Sequence, residues 1–221
     1  MRFRDRSEAG RLLAAELERY RDLEPVVVAM PRGGVPVGYE IARALDAPLD
    51  VIVVRKLGAP GHPELAVGAI VDGSEPEVVL NPDVVRALGV SAAYLRQEEA
   101  RQLAVIHERQ RLLRSGRPPV PLERRTAILV DDGIATGATA RAAILGLRRR
   151  HPARVVLAVP VAPPDSCAAL APLVDDLVCL YQPEPFYAVG AWYVDFRQVS
   201  DEEVIELLER AHRERRTPPG R

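Results

Sequence analysis

Apolar positions along the chain fall into two rhythms. Residues 7–21 place Leu12, Leu13, Ala15 and Leu17 among charges, the spacing of an amphipathic helix, and Pro25 stops it. Val26–Met30 is a short, continuously apolar run, which predicts a strand buried on both faces. Pro36–Leu45 predicts a helix with proline in its first turn, and Leu49–Arg55 a second buried strand. The order strand, helix, strand is a βαβ unit. The stretch LGAPGHPELAVGAI, residues 57–70, is rich in Gly and Pro and predicts an exposed, mobile loop. Val78–Leu80 reads as a short strand. Residues 91–114 form the longest helical candidate, with Leu95, Leu103, Ile106 and Leu113 as its buried stripe, and 116–121 (GRPPVP) reads as a linker.

A second βαβ run follows. Thr126–Val130 predicts a strand, Thr139–Arg150 a helix, Val155–Val159 a strand, Pro164–Leu170 a short helix and Leu177–Leu180 another strand. Ser200 followed by Glu203 has the capping-box pattern of a final helix, and the closing RRTPPGR reads as a disordered tail. Parallel strands alternating with helices predict an α/β fold, a doubly wound and mainly parallel sheet flanked by helices. Its ligand then lies beyond the carboxyl ends of the strands. The whole chain, 1–221, divides into a core (about 22–70 and 124–182), a helical insertion (about 82–118), a C-terminal hood (about 183–212) and the tail (213–221).

Composition narrows the field. A length of 221 residues with 48% apolar content suits one sizeable α/β domain. A formal net charge of −1 gives no general electrostatic reason to expect a nucleic-acid partner. No apolar run approaches membrane-spanning length, and the charged, helix-patterned N-terminus is unlike a signal peptide. Cys167 and Cys179, the only cysteines, offer no zinc spacing or disulfide framework, so a cytoplasmic setting is expected. Of the thirty Lys plus Arg residues, Lys56 alone is lysine. A bias toward arginine explains the depletion but not the survivor. A site needing a compact ammonium cannot accept the larger, forked guanidinium, which marks Lys56 as a functional candidate.

The strongest chemical signal is ILVDDGIATGAT, residues 128–139. A buried strand delivers Asp131 and Asp132 at its carboxyl end, and a turn with Thr136, Gly137 and Thr139 leads into a helix. Free backbone amides and a positive helix end at that turn suit a phosphate. Gly137 permits close backbone approach, and the threonine hydroxyls add donors. The two aspartates are acceptors suited to vicinal hydroxyls such as those of ribose.

DDGIATGAT resembles the motif by which type I phosphoribosyltransferases bind 5-phosphoribosyl-1-pyrophosphate (PRPP). The resemblance implies that Asp131 and Asp132 bind the ribose hydroxyls while Ala135, Thr136, Gly137, Ala138 and Thr139 hold the 5-phosphate. MPRGGVPVG, residues 30–38, then corresponds to the pyrophosphate loop, with Arg32, Gly33 and Gly34 at its centre. In the family this loop often contains a non-proline cis peptide, which would fall between Pro31 and Arg32. Arg55 and Lys56 match the family's basic pair and would share one sheet edge with the other two segments. Residues 57–70 correspond to its catalytic loop, with His62 and Glu64 as titratable groups. An F-x-x-V-G segment stacks on the base in purine-salvage members. Here PEPFYAVGAWYVDF (183–196) offers Phe186 first, with Trp192 and Tyr193 behind it.

The implied activity is Mg²⁺-dependent transfer of a phosphoribosyl group from PRPP to a nitrogenous base, with Lys56, Asp131 and Asp132 as catalytic residues. Mg²⁺ would be held mainly through PRPP and water, with Asp131 and Asp132 as candidate protein ligands. Ala135 stands where hypoxanthine-guanine enzymes have aspartate, and Lys56 is the only lysine, so 6-oxopurine salvage is disfavoured. The alternative is a PRPP- or nucleotide-sensing regulator on the same fold without catalysis. A homo-oligomer is compatible with either.

Overall fold

The computed structural model describes residues 2–73 and 76–216. The tail beyond Arg216 and the side chain of Glu64 lie outside the described residues. Five parallel strands form the main sheet: β1 (Pro25–Ala29), β2 (Leu49–Val51), β6 (Thr126–Val130), β7 (Arg154–Val161) and β8 (Asp176–Tyr181), in the order β2-β1-β6-β7-β8. β1 and β6 pair from Pro25↔Thr126 to Ala29↔Val130, and every residue of both is buried. That double burial is why their sequences are unbroken apolar runs.

Helices cover both faces. On one side, α1 (Arg6–Leu17) and α2 (Gly34–Leu45) press Leu13, Leu17, Val37 and Ile41 against Val27, Ile128 and Val156. On the other, α5 (Ala138–Arg148) packs Ala143, Ile144 and Leu147 on Val26, Leu129 and Leu157, beside the short α6 (Pro164–Leu170). Asp5 caps α1, accepting from the Glu8 amide at 2.7 Å, directly before Arg6 opens the helix.

Two expectations need correction. Leu49–Arg55 is not one strand. Its first half is β2, while Val54–Ala59 is β3 of a separate antiparallel sheet with β4 (His62–Val71) and β5 (Glu77–Leu80). The handover is visible in the hydrogen bonds: the Ile52 amide donates to Ala29 O at 3.0 Å, whereas Val53 O accepts from Asp72 N at 2.9 Å. An unbroken apolar run cannot reveal which sheet each half joins. Arg55 and Lys56 therefore lie within β3, not at the carboxyl end of a parallel strand.

Residues 57–70, expected as a mobile loop, are most of a hairpin. Leu57, Val67 and Ile70 are fully buried, and Gly61 turns the tip with φ +74°. The small sheet is covered by α4 (Ala92–Leu113) and α7 (Asp201–Arg216), whose Ile106, Leu113, Val204 and Leu208 complete its core. A short α3 (Pro82–Ala87) precedes α4. Arg114, just past α4, is buried between Asp50 of β2 at 2.8 Å and Asp72 after β4 at 3.2 Å. This ion cluster fixes the end of α4 to both sheets, because separating any member would strand a buried charge. The remaining expected helices and strands are present with ends shifted by a few residues, and Ser200 Oγ accepts from Glu203 N at 3.2 Å as its capping pattern predicts.

Candidate functional site

β6 runs out of the main sheet at Val130 and hands the chain to Asp131 and Asp132. The parallel β1 ends beside it, and its loop passes directly over the two aspartates. A Cβ on Gly33 would fall 2.0 Å from Asp132 Oδ2, and one on Gly34 would fall 2.7 Å from Val130 O. Gly33 has an ordinary helical φ of −61°, so glycine is required here for proximity rather than for backbone freedom. The peptide joining Pro31 to Arg32 is cis. The Gly34 amide bonds back to Met30 O, and Val35 N to Arg32 O, which leaves the Arg32 and Gly33 amides uncommitted among the described residues.

The two carboxylates differ in company. Asp132 Oδ2 accepts from Arg6 Nε at 2.8 Å, with side-chain exposures of 14% and 11%. Arg6 is itself held by Arg197 O at 2.8 Å and by the face of Phe196, 4.0 Å from the ring centre. Tyr193 Oη donates to Asp132 O at 2.6 Å. Asp131 makes no ion pair among the described residues; its Oδ1 accepts the Asp132 amide at 2.9 Å. Burial pushes the Asp131 carboxyl well above the usual carboxylate range, and the adjacent Asp132 charge raises it further. Burial also raises Asp132, against the pull of the Arg6 guanidinium. The Tyr193 hydroxyl is pushed up as well, by burial first and then by Asp132.

Beyond the aspartates, the turn leads to α5. Gly137 adopts φ +78°, a left-handed conformation that disfavours any side chain, and its carbonyl starts the helix by accepting from Arg141 N at 2.8 Å. No side chain caps this end, so the first-turn amides at Ala138, Thr139 and Ala140 face outward as anion donors. α6 braces the turn: Ser166 Oγ donates to Ala135 O at 2.6 Å, and Leu170 packs against Gly137.

Lys56, exposed on β3, lines two cavities of about 400 Å³ each that it shares with Thr139. The basic pair is therefore brought to α5 by the small sheet. Arg55 and Lys56 diverge in their contacts, since Arg55 Nε donates to Gln102 of α4 at 3.1 Å. The Arg32 side chain points to α7, with Nη1 3.8 Å from Asp201 Oδ1, whose other oxygen is held by Arg109 at 2.6 Å. His62 is exposed near the hairpin tip.

The hood docks on the aspartate turn through Val189, whose methyl would lie 2.5 Å from a Cβ on Gly133. Phe186 and Trp192 have ring centres 6.4 Å apart, and Trp192 meets Tyr181 edge-on at 5.2 Å. The backbone of Phe3 pairs with that of Trp192 and Val194, bringing the N-terminal segment alongside. Arg6 was not among the sequence candidates, Gly133 and Val189 lie inside the DDGIATGAT and F-x-x-V-G segments without having been assigned a role, and Tyr193 was expected at the base rather than at Asp132. Their contacts join segments far apart in the chain, which the local sequence does not encode.

Comparison with known proteins agrees with this architecture. Residues 6–170 match the family model described as "Phosphoribosyl transferase domain". Proteins of two Mycobacterium tuberculosis strains, each named "Putative phosphoribosyl transferase", are 50% identical over 212 residues, covering 96% of this chain and 47% of theirs. The chain thus spans about half the length of the curated relatives it matches. The solved structure of TT1426 from Thermus thermophilus is 46% identical with a TM-score of 0.82, over 94% of this chain and 98% of that one. A Neisseria gonorrhoeae protein solved with bound ppGpp shares the fold at 14% identity and a TM-score of 0.50, over 95% of this chain and 98% of that one.

Proposed function

The chain belongs to the phosphoribosyl transferase domain family, and from that membership we propose that it transfers the 5-phosphoribosyl group of PRPP to a nitrogenous base, releasing pyrophosphate. One observation carries the reading: two adjacent, largely buried carboxylates packed under a glycine turn, with an uncapped helix start six residues further on. Carboxylates match the ribose hydroxyls and the helix start matches the 5-phosphate.

The roles follow from chemistry. Asp131 and Asp132 accept hydrogen bonds from the ribose hydroxyls, and the amides of Ala135–Thr139 hold the phosphate. As the bond from ribose C1 to oxygen breaks, pyrophosphate departs with the electron pair, a lone pair of the base nitrogen forms the new C1–N bond, and the proton of the base N–H is lost to water. Positive charge building on the ribose ring is stabilised by the carboxylate pair, while the leaving group is met by Lys56 and the amides of Arg32 and Gly33. Phe186 and Trp192 supply flat apolar surface for the base.

Mg²⁺ fits this site as a companion of the substrate. Among the described residues no group of three His, Cys, Asp or Glu could cage a metal. Asp131 and Asp132 offer the one or two carboxylates with which Mg²⁺ is commonly held when phosphates and water complete its shell. When bound, it neutralises charge on the pyrophosphate oxygens.

The test is a pyrophosphate-release assay with PRPP, Mg²⁺ and a panel of bases, paired with calorimetric titration of PRPP. Release with at least one base, lost in the Asp131→Asn/Asp132→Asn double variant, is the expected result. Tight PRPP binding without release from any base would favour the sensing reading, and wild-type PRPP affinity in the double variant would overturn the ribose role.

A further inference from the structure

The two cysteines take no part in the scheme above, yet they stand directly behind the phosphate turn. Both are free thiols. Cys167 is buried in α6, next to Ser166 and one turn before Leu170, the residues that brace Ala135 and Gly137. Cys179 lies on β8, the last strand of the main sheet, and is only partly buried. Alternate residues of β8 face opposite layers. Val178 and Leu180 pack among α1 and α2, whereas Leu177 and Cys179 pack on the side that holds Cys167 and Leu170. The fold thus turns both sulfurs into one layer, between α6 and the sheet edge. Cys179 Sγ donates to Tyr181 O at 3.3 Å, and the two cysteine side chains hydrogen-bond to each other.

That contact divides the labour between them. It holds the Cys167 thiol below its ordinary value and pushes the Cys179 thiol up, so Cys167 ionises first and Cys179 keeps its proton. Cys167 retains 7% exposure and Cys179 more, enough for a reactant as small as hydrogen peroxide. A covalent sulfur–sulfur bond is shorter than any contact between unbonded sulfurs, so closing it draws the first turn of α6 toward β8. Ser166 moves with its neighbour. Its hydrogen bond to Ala135 O is 2.6 Å long and part-buried, and has no slack to follow such a shift.

We propose that Cys167 and Cys179 are a peroxide-oxidisable dithiol whose disulfide form releases the α6 brace and weakens phosphate binding at the Ala135–Thr139 turn. The Cys167 thiolate attacks one oxygen of hydrogen peroxide, and the O–O bond breaks with hydroxide leaving and taking up a proton as water. Cys179 sulfur then attacks the resulting sulfenic acid at Cys167. The S–O bond breaks, and the hydroxyl departs with the Cys179 proton as a second water. Two thiols and one peroxide therefore give one disulfide and two waters. The dithiol stands on the packing of α6 against β8, while its effect rests on the reading of the turn as a phosphate cradle.

The full chain, treated with hydrogen peroxide, is followed by intact mass and by calorimetric titration of ribose 5-phosphate. Oxidation should remove two hydrogen atoms, with one peptide linking Cys167 to Cys179. The oxidised chain should bind ribose 5-phosphate about tenfold more weakly, the worth of one buried hydrogen bond, and dithiothreitol should restore the affinity. Cys179→Ser and Cys179→Ala should bind as the reduced parent does and lose the peroxide response. Ser166→Ala, which removes the brace without oxidation, should reproduce the weakening. Gain of oxygen in place of loss of hydrogen would overturn the dithiol, and that result is read on the parent chain whether or not a variant folds. A disulfide that leaves the affinity unchanged would overturn the coupling to the turn. A disulfide in a chain that binds no ribose 5-phosphate even when reduced would keep the dithiol and overturn the phosphate reading.

Discussion

Replacing Arg6 by Gln should destabilise the protein and weaken PRPP binding together, although Arg6 lies outside every motif. The Arg6–Asp132 pair is 2.8 Å long and both side chains are nearly buried. With charge centres about 4 Å apart and an effective dielectric constant of about 20, the attraction is about 4 kcal/mol before desolvation is subtracted. Removing only the cation leaves Asp132 buried beside Asp131, with Tyr193 bonding only its backbone carbonyl, so the net loss should approach 3 kcal/mol. For a domain of this size that corresponds to a fall in melting temperature of roughly 6–12 °C. PRPP affinity should drop as well, because Arg6 and Gly33 together fix where Asp132 Oδ2 sits. Trp192, the only tryptophan, lies in the hood beside the Phe3 backbone, so its fluorescence can follow melting and hood docking at once. A double-mutant cycle with Asp132→Asn isolates the pair: the two losses should be far from additive. Additive losses, or a wild-type melting temperature in Arg6→Gln, would show that the contact neither holds the fold nor orders the site.

Asp131→Asn should raise the melting temperature at neutral pH while weakening PRPP binding severely. The raised folded-state pKa means that protonation of Asp131 favours the fold. That stability is fully present below the ordinary carboxylate range and is lost as pH rises through the raised value. The advantage of the Asn variant should therefore vanish in acid, and melts across pH that show no gain near neutrality would contradict the assignment. Gly33→Ala, whose added methyl would collide with the Asp132 carboxylate without straining the backbone, should abolish PRPP binding in calorimetry. Retained affinity would mean the carboxylate can move without harm. Lys56→Arg should cut turnover about tenfold or more, equivalent to roughly 1.4 kcal/mol, with little change in thermal stability. An unchanged rate would make Lys56 a chance survivor of arginine bias.

What the sequence exposed was whatever is local. Val26–Met30 and Thr126–Val130 are double-buried strands that announce themselves as apolar runs, and ILVDDGIATGAT carries its strand end, its carboxylates, its turn and its helix start in one unbroken segment. The 57–70 segment misled because Gly and Pro dominate its composition. The alternation that makes it a hairpin has meaning only once α4 and α7 cover Leu57, Val67 and Ile70. The break after Val51 was illegible for a similar reason: Ile52 and Val53 are apolar whichever sheet receives them. Arg6 looked like one charge in a charged N-terminus. Its partners Asp132, Phe196 and Arg197 are distant in sequence, and no periodicity encodes them.

The separation between Arg6 and Arg197, 191 positions, also sets a timetable. At typical synthesis rates of about 5–20 residues per second, roughly 10–40 s pass between the emergence of Arg6 and that of the segment that clamps it. All residues of the β1–β6 pairing and the aspartate pair precede residue 133, so they are synthesised well before that clamp. The time taken to synthesise residues 133–197 thus sets how long the aspartate turn waits for the segment that clamps Arg6.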